Sequence, residues 1–394
     1  MKDQLLHTPD GVRDIYNSEC EQKLFLQDCL FREIRKYGYG PIQTPSFEFF
    51  DVFGKEIGTT PSKELYKFFD RDGNTLVLRP DITPSIARVA AKYYKEEAMP
   101  VRFSYCGNTF TNNSNYQGRL KETTQLGAEL VGDRSVAADA EIIAMTARCF
   151  LRAGLSDFQI SVGDCGFFRS ICAYAQMEEE TIADIRNFIC SKNYFAAQEV
   201  VSELEVSSEV STLFEKISSF MGEISILEEA KGYVKNIPGA LSAIARLEEL
   251  YEILKTYGCE QYVSFDLGLL SKYDYYTGII FEGYTFGSGE AVAKGGRYDE
   301  LVRHFGKDAP AVGCVIFLDQ LLLALSRQRI EVPMAEHRIL FLYTESQRAD
   351  AIAKADALRA EGETVQMMCI APECQKEDYV AYASRNRFDE VREC

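Results

Sequence analysis

Gly107-Asn-Thr-Phe-Thr-Asn-Asn-Ser-Asn-Tyr-Gln-Gly-Arg-Leu-Lys-Glu-Thr-Thr-Gln-Leu-Gly-Ala-Glu129 runs from one extended segment into another across a polar loop of Asn and Gly. Residues 101–110 and 123–131 therefore read as the two strands of an antiparallel hairpin. No crossover helix separates them, so the sheet they belong to is predicted to be antiparallel. Alternation along 123–131 puts Gln125, Gly127 and Glu129 on one face and Leu126, Ala128 and Leu130 on the other.

Upstream of the hairpin, Leu26, Leu30, Ile34 and Tyr37 recur at helical spacing over 19–37, and Gly38 supplies a stop. Residues 39–53 turn into an extended segment through Ile42, Thr44 and Pro45, and 75–79 read as a short strand. Pro80-Asp-Ile-Thr-Pro84 leads into a helix, with Pro84 suited to its first turn and Thr83 placed to cap it. Downstream, 138–153 is a helix closed by Gly154, and 158–163 a strand. Residues 167–237 carry a helical pattern throughout and read as an insertion. A helix over 240–257, strands at 262–270 and 278–286, and a long apolar helix over 312–326 follow. After Val332-Pro333 the order becomes strand 339–343, helix 347–361, strand 364–370 and helix 377–384, a small α/β unit with a right-handed crossover that is marginal by itself. The expected class is α+β.

With 394 residues, 46% of them hydrophobic, the chain has material for a large core. A formal net charge of -17 works against a general polyanion-binding surface, so nucleic acid is a disfavoured partner. The twelve cysteines form no CxxC pair, as expected of reduced thiols, most of them packed as small hydrophobes. His7, His304 and His337 stand in no metal-ligand spacing, so neither a metal nor another cofactor is expected. The first residues hold no apolar run of signal-peptide length, and the apolar stretch 314–325 is broken by Asp319 and Gln320. A cytoplasmic chain with no membrane partner is the expectation.

Separated segments, in order, resemble the class II histidyl-tRNA synthetase core. They are Thr8-Pro-Asp-Gly-Val-Arg-Asp14, Gly40-Pro-Ile-Gln-Thr-Pro45, Leu78-Arg-Pro-Asp-Ile-Thr83, the hairpin 107–129, Tyr273-Asp-Tyr-Tyr276 and Gly295-Gly-Arg-Tyr-Asp299. The resemblance implies a synthetase-like antiparallel sheet flanked by helices, formed by 1–166 and 238–330, around the insertion 167–237. The tail 335–394 is similar to the beginning of that family's anticodon-binding domain. The departures from the pattern concern charge. Where the synthetases place an arginine on the α-phosphate and the substrate carboxylate, this chain has Thr111; Ser271 and Gln320 stand at two further arginine positions. Removing one preorganised donor to a developing anionic charge typically costs about 3 kcal/mol, and threonine, serine or glutamine do not reproduce a guanidinium fork.

Retained core and lost cations together resemble the regulatory subunits of ATP phosphoribosyltransferase. That family implies a non-catalytic subunit that binds and activates a short-form catalytic subunit in the first step of histidine biosynthesis and takes part in feedback by L-histidine. It also implies a homodimer through the class II-type face near 40–53 inside a hetero-oligomer, and no tRNA. The alternative is a divergent histidyl-tRNA synthetase, for which Lys121 is the one cation near Thr111 in sequence.

By resemblance, Glu129 and Tyr276 meet the imidazole of histidine, and Asp81, Thr83 and Gln125 the α-ammonium. Arg119, Tyr275 and Tyr298 line the same site. Gln125 and Glu129 lie about 13 Å apart along their strand, so a ligand fits between side chains reaching in from each end. Read from the residues alone, each position has a plainer role. Glu129 reads equally as a solvated strand residue or a partner of Arg119, and Asp81 as an acid favoured at a helix start. The tyrosines read as packing residues, Gly295-Gly296 as a turn, and Arg119 as a solvent-facing side chain.

Overall fold

The computed structural model describes residues 6–54, 60–113, 119–273, 275–332 and 337–394. The hairpin's tip at 114–118, Asp274 of the tyrosine segment and Pro333 at the start of the tail, all used above, lie outside them.

Two compact units divide the chain, Met1–Asp14 with Leu26–Val332, and Ile15–Phe25 with Pro333–Cys394. The order begins α1 (Asn17–Arg35), β1 (Gly40–Pro41), β2 (Phe47–Phe49), β3 (Lys67–Phe69), β4 (Thr75–Leu78), α2 (Thr83–Tyr93), β5 (Val101–Phe110) and β6 (Glu122–Val131). It continues through α3 (Val136–Arg152), β7 (Phe158–Asp164), α4 (Cys165–Tyr174), α5 (Glu179–Cys190), α6 (Tyr194–Ser202), α7 (Ser208–Lys216), β8 (Met221–Gly222) and α8 (Ser225–Tyr233). Then come α9 (Pro238–Tyr257), β9 (Val263–Asp266), β10 (Ile279–Thr285), β11 (Ala293–Arg297), α10 (Leu301–His304), β12 (Ala311–Phe317) and α11 (Leu318–Gln328).

Nine strands form one sheet in the order β1-β5-β6-β12-β11-β10-β7-β9-β8. Its centre is antiparallel, as the hairpin implies, but β1 pairs with β5 and β7 with β9 in parallel, so the sheet is mixed. One face meets Ile82, Ile86, Ala87 and Ala90 of the α2 region together with Phe103, Tyr105, Tyr275 and Tyr298. The alanines let α2 lie close, and Pro84 sits in its first turn. Helix α3 lies over the other face, burying Ile142, Ile143, Met145 and Phe150. Each such side chain taken from water contributes about 1.5–3 kcal/mol. A separate sheet, β2-β4-β3, carries the extended segment after Gly40.

The expected apolar helix over 312–326 is a strand followed by a helix, β12 then α11. A strand covered on both faces loses its alternation and reads as a continuous apolar run, which hides the period. Gly295-Gly296 lies within β11 rather than in a turn. Thr83 does not cap α2, because its hydroxyl donates to Glu129 instead. Five of the twelve cysteines are buried, so most are not.

The second unit comprises β13 (Arg338–Tyr343), α12 (Arg348–Ala360), β14 (Thr364–Cys369), α13 (Lys376–Arg385) and β15 (Glu390–Glu393), with strand order β14-β13-β15, all parallel. Strand β15 is absent from the sequence reading. The first part of α1 belongs to this unit, where Glu21 meets Arg338 at 3.2 Å.

Candidate functional site

Strand β6 sets the site. Opposite Glu129 stand Phe103 on β5 and Gly313 on β12, and Gly313 in turn faces Gly296 on β11. The glycines clear the space that larger residues fill. A Cβ at Gly313 would fall 1.6 Å from Glu129 Oε2, one at Gly296 would meet the Tyr276 ring at 2.8 Å, and one at Gly127 would meet the Tyr105 hydroxyl at 2.4 Å. No side chain larger than hydrogen fits beneath these groups.

Glu129 is only 1% exposed. Its Oε1 accepts from the Thr83 hydroxyl at 2.8 Å and from Tyr105 at 3.3 Å, and its Oε2 from Tyr298 at 2.5 Å. Burial pushes its carboxyl up to about 8, partly opposed by the Tyr298 and Thr83 hydrogen bonds. The solvated-strand reading of Glu129 and its pairing with Arg119 both fail. Asp81 is buried too, and its Oδ1 accepts from the backbone N–H of Ile82 at 2.7 Å and of Thr83 at 3.3 Å. Tyr275 donates to its other oxygen at 3.2 Å. Burial raises the Asp81 carboxyl above its ordinary value, and those donors oppose the rise.

Gln125 is buried at 7% exposure on the face of β6 that carries Glu129, and its side-chain oxygen has no hydrogen-bond partner. A buried orphan acceptor is uncommon and costs about 1–3 kcal/mol unless a ligand satisfies it. Tyr273 and Tyr275 stack at 5.5 Å between centroids, Tyr275 meets Tyr276 at 4.7 Å, and Tyr275 meets Tyr298 edge-on at 5.8 Å. Desolvation raises the phenols of Tyr105, Tyr275, Tyr276 and Tyr298 well above the ordinary range, so all four stay neutral hydrogen-bonding groups.

Asp81, Thr83, Glu129, Tyr275 and Tyr298 are linked by these bonds and ring contacts, with Tyr276 beside them. Arg119 is not part of this network; it pairs with Glu290 at 3.0 Å, and both side chains are about half exposed. Thr111 donates its backbone N–H to the Lys121 carbonyl at 2.8 Å, which sets those two residues side by side. Ser271 Oγ accepts from Tyr273 N at 3.0 Å. Gln320, on α11, has its side-chain oxygen buried without a partner.

Several residues of the site escape the sequence reading. Tyr105 is found only through its register opposite Gly127, and Gly313 only once β12 is known to be a strand. Arg79 is buried and donates to Asn108 O and Thr44 O, both at 2.8 Å, tying the segment before Asp81 to β5. Arg297 of the Gly-Gly-Arg segment is buried in an ion pair with Asp139 at 2.7 Å, and Asp139 also holds Arg246 at 2.5 Å. Among the described residues, no group of three or more His, Cys, Asp and Glu is arranged to hold a metal ion, and no helix is long and apolar enough to cross a membrane.

A mixed sheet with this hairpin and these flanking helices is the class II aminoacyl-tRNA synthetase-like fold, and the histidyl-tRNA synthetase family model matches residues 11–321. A crystal structure from Bacillus halodurans described as an ATP phosphoribosyltransferase regulatory subunit/histidyl-tRNA synthetase superposes with TM-score 0.87 at 33% identity, covering 99% of this chain and 98% of that one. A histidyl-tRNA synthetase from Nostoc sp. shares the fold with TM-score 0.80 at 20% identity over 97% of this chain and 90% of its own. The ATP phosphoribosyltransferase regulatory subunit of Acetivibrio thermocellus is 36% identical over 93% of this chain and 88% of the relative. That of Thermoanaerobacter pseudethanolicus is 34% identical over 98% and 99%. The chain belongs to the histidyl-tRNA synthetase-like family of ATP phosphoribosyltransferase regulatory subunits.

Proposed function

We propose that this chain acts without catalysis of its own, as a regulatory subunit that binds and activates a short-form ATP phosphoribosyltransferase catalytic subunit and carries the effector site for L-histidine. The observation behind this reading is a buried set of acceptors, Glu129, Asp81 and the orphan oxygen of Gln125, in a chain whose positions 111, 271 and 320 hold no cation. Acceptors of this kind suit an ammonium and an imidazole N–H. A triphosphate instead needs fixed positive charge. In this reading the imidazole lies at Glu129 and Tyr276, the ammonium at Asp81, Thr83 and Gln125, and the cell compartment is the cytoplasm.

A homodimer inside a hetero-oligomer is part of the proposal. It is supported by the exposure of Phe47, Phe49 and Phe68, which the register puts on one face of the β2-β4-β3 sheet, an apolar face that favours a partner. The proposal also takes 167–237 as an insertion and 335–394 as a shortened anticodon-binding-like unit.

The test mixes the full chain with the catalytic subunit and measures mass, phosphoribosyltransferase activity and its inhibition by histidine. A heavier species with activity that neither part has alone is expected; unchanged mass and activity reject the proposal. The second reading, a divergent synthetase, draws on Lys121 standing beside Thr111. Histidine-dependent pyrophosphate exchange by the chain alone would favour it over the regulatory role.

A further inference from the structure

Residues 79–83 run along the hairpin. At one end Phe110 donates its backbone N–H to the Arg79 carbonyl at 3.0 Å, and at the other the Thr83 hydroxyl reaches Glu129, which stands opposite Phe103. Between these levels lies Gly107, paired with Gln125 across the ladder. The Arg79 guanidinium takes the place of its side chain, since a Cβ on Gly107 would fall 2.3 Å from Arg79 Nη2 and 3.2 Å from Cζ. By alternation Gly107 shares a face of β5 with Tyr105, whose hydroxyl reaches Glu129. Directly opposite positions of an antiparallel pair hold their Cβ atoms about 4.5–5.5 Å apart, which puts Nη2 within roughly 8 Å of the Cβ of Gln125.

Arg79 is 6% exposed. Among the described residues, its Nε donates to Asn108 O at 2.8 Å and its Nη1 to Thr44 O at 2.8 Å and Pro45 O at 3.3 Å, while Nη2 donates to none of them. Burial lowers the guanidinium from its ordinary value, opposed by the fields of Cys106, Tyr105 and Glu48, and Glu48 is itself bound by Arg88 at 2.7 Å. A buried cation is stabilised by an anion brought against it in good hydrogen-bond geometry. Histidine laid along β6 with its ring at Glu129 brings its α-carbon to the Gln125 end, and ammonium and carboxylate share that carbon. Asp81 and the orphan oxygen of Gln125 are acceptors for the ammonium. Nη2 is a donor at the same level of the strand. We propose that Arg79 Nη2 donates to the α-carboxylate of the amino-acid effector, so that a guanidinium reaching over Gly107 does what positions 111, 271 and 320 no longer do.

This inference rests on the histidine reading of the Glu129 site. The test is calorimetric titration of the full chain, alone and mixed with the catalytic subunit, with L-histidine and with L-histidinol, which replaces the carboxylate by a hydroxymethyl group. Wild type is expected to prefer histidine by roughly ten- to hundredfold, the range of hydrogen bonds to charged groups. Arg79→Gln should shrink that preference toward unity while histidinol affinity stays unchanged, and Arg79→Lys should keep part of it. Gly107→Ala, whose added carbon displaces Nη2 and leaves the charge in place, should shrink it as well. Where Arg79→Gln binds neither ligand because the tie to β5 is lost, Gly107→Ala decides. Equal affinities in wild type, a full preference kept in Arg79→Gln or Gly107→Ala, or both ligands weakened by one factor, as a purely structural tie would give, overturns the assignment and leaves the histidine reading standing. Binding of neither ligand by wild type in either condition removes both.

Discussion

With its carboxyl pushed up to about 8 by burial, Glu129 remains largely protonated at neutral pH while Thr83, Tyr105 and Tyr298 surround it. The folded state thus binds a proton that the unfolded chain, with an ordinary carboxyl near 4.5, releases. Stability from this group is complete below that ordinary value and is lost as pH rises toward 8. Glu129→Gln, which does not titrate, should therefore flatten the fall in stability between pH 5 and 8.5, by roughly a few kcal/mol over that range. Urea midpoints of both proteins at the two pH values measure it, and parallel slopes would contradict the burial argument. The same acid governs binding. A cationic ligand favours the carboxylate, so histidine should release protons at pH 7, seen as a dependence of the binding heat on the ionisation enthalpy of the buffer. Gln125 behaves differently because its oxygen is already an orphan. Gln125→Met should leave stability unchanged or raise it by up to about 1–3 kcal/mol while weakening histidine roughly tenfold, two opposite signs from one substitution. A variant that loses both would show that Gln125 has a structural partner.

At the scale of elements, the path Gly296–Gly313–Glu129 across β11, β12 and β6 explains why those strands contain glycine at all. Gly313→Ala should destabilise by about 1–3 kcal/mol or more and abolish histidine binding, since the new Cβ meets both the Glu129 carboxylate and the Ala128 carbonyl. Gly232→Ala in α8, where nothing lies within 4 Å of the added carbon, should instead gain about 0.5–1 kcal/mol. Thermal unfolding of the two variants gives the comparison. This contrast also marks where the sequence could be read. The hairpin and α3 follow their periodicity closely, β5 and β6 at Val101–Phe110 and Glu122–Val131 and α3 at Val136–Arg152. Strand β12 does not, because burial on both faces erases alternation and leaves an apolar run that fits a helix equally well. Misreading it hid Gly313, and with it the reason that Glu129 fits. Thr83 was similarly legible as a residue type but not as a partner: its hydroxyl sits 46 residues from Glu129 in sequence, a distance no local pattern encodes.

For the whole molecule, surface character separates the possible partners. Acidic residues outnumber basic ones 60 to 43, so binding to a polyphosphate chain such as tRNA meets a repulsive field that only a local basic patch would overcome. The apolar surface is organised differently, with Phe47 at 52% and Phe49 at 56% exposure on one face of a small sheet. Phe47 and Phe68 lie edge to face on that sheet at 5.8 Å, which fixes their rings in place before any partner arrives. Rings held this way lose little entropy on association, so a self-complementary face built from them is suited to a two-fold dimer. Replacing Phe47 and Phe49 together with Asp puts two charges into that face and should convert a dimer to monomer in sedimentation or light scattering. The two side chains already contact water, so the melting temperature of the isolated fold should change little, apart from whatever part depends on protein concentration. Persistence of the dimer in the double variant would move the association surface elsewhere.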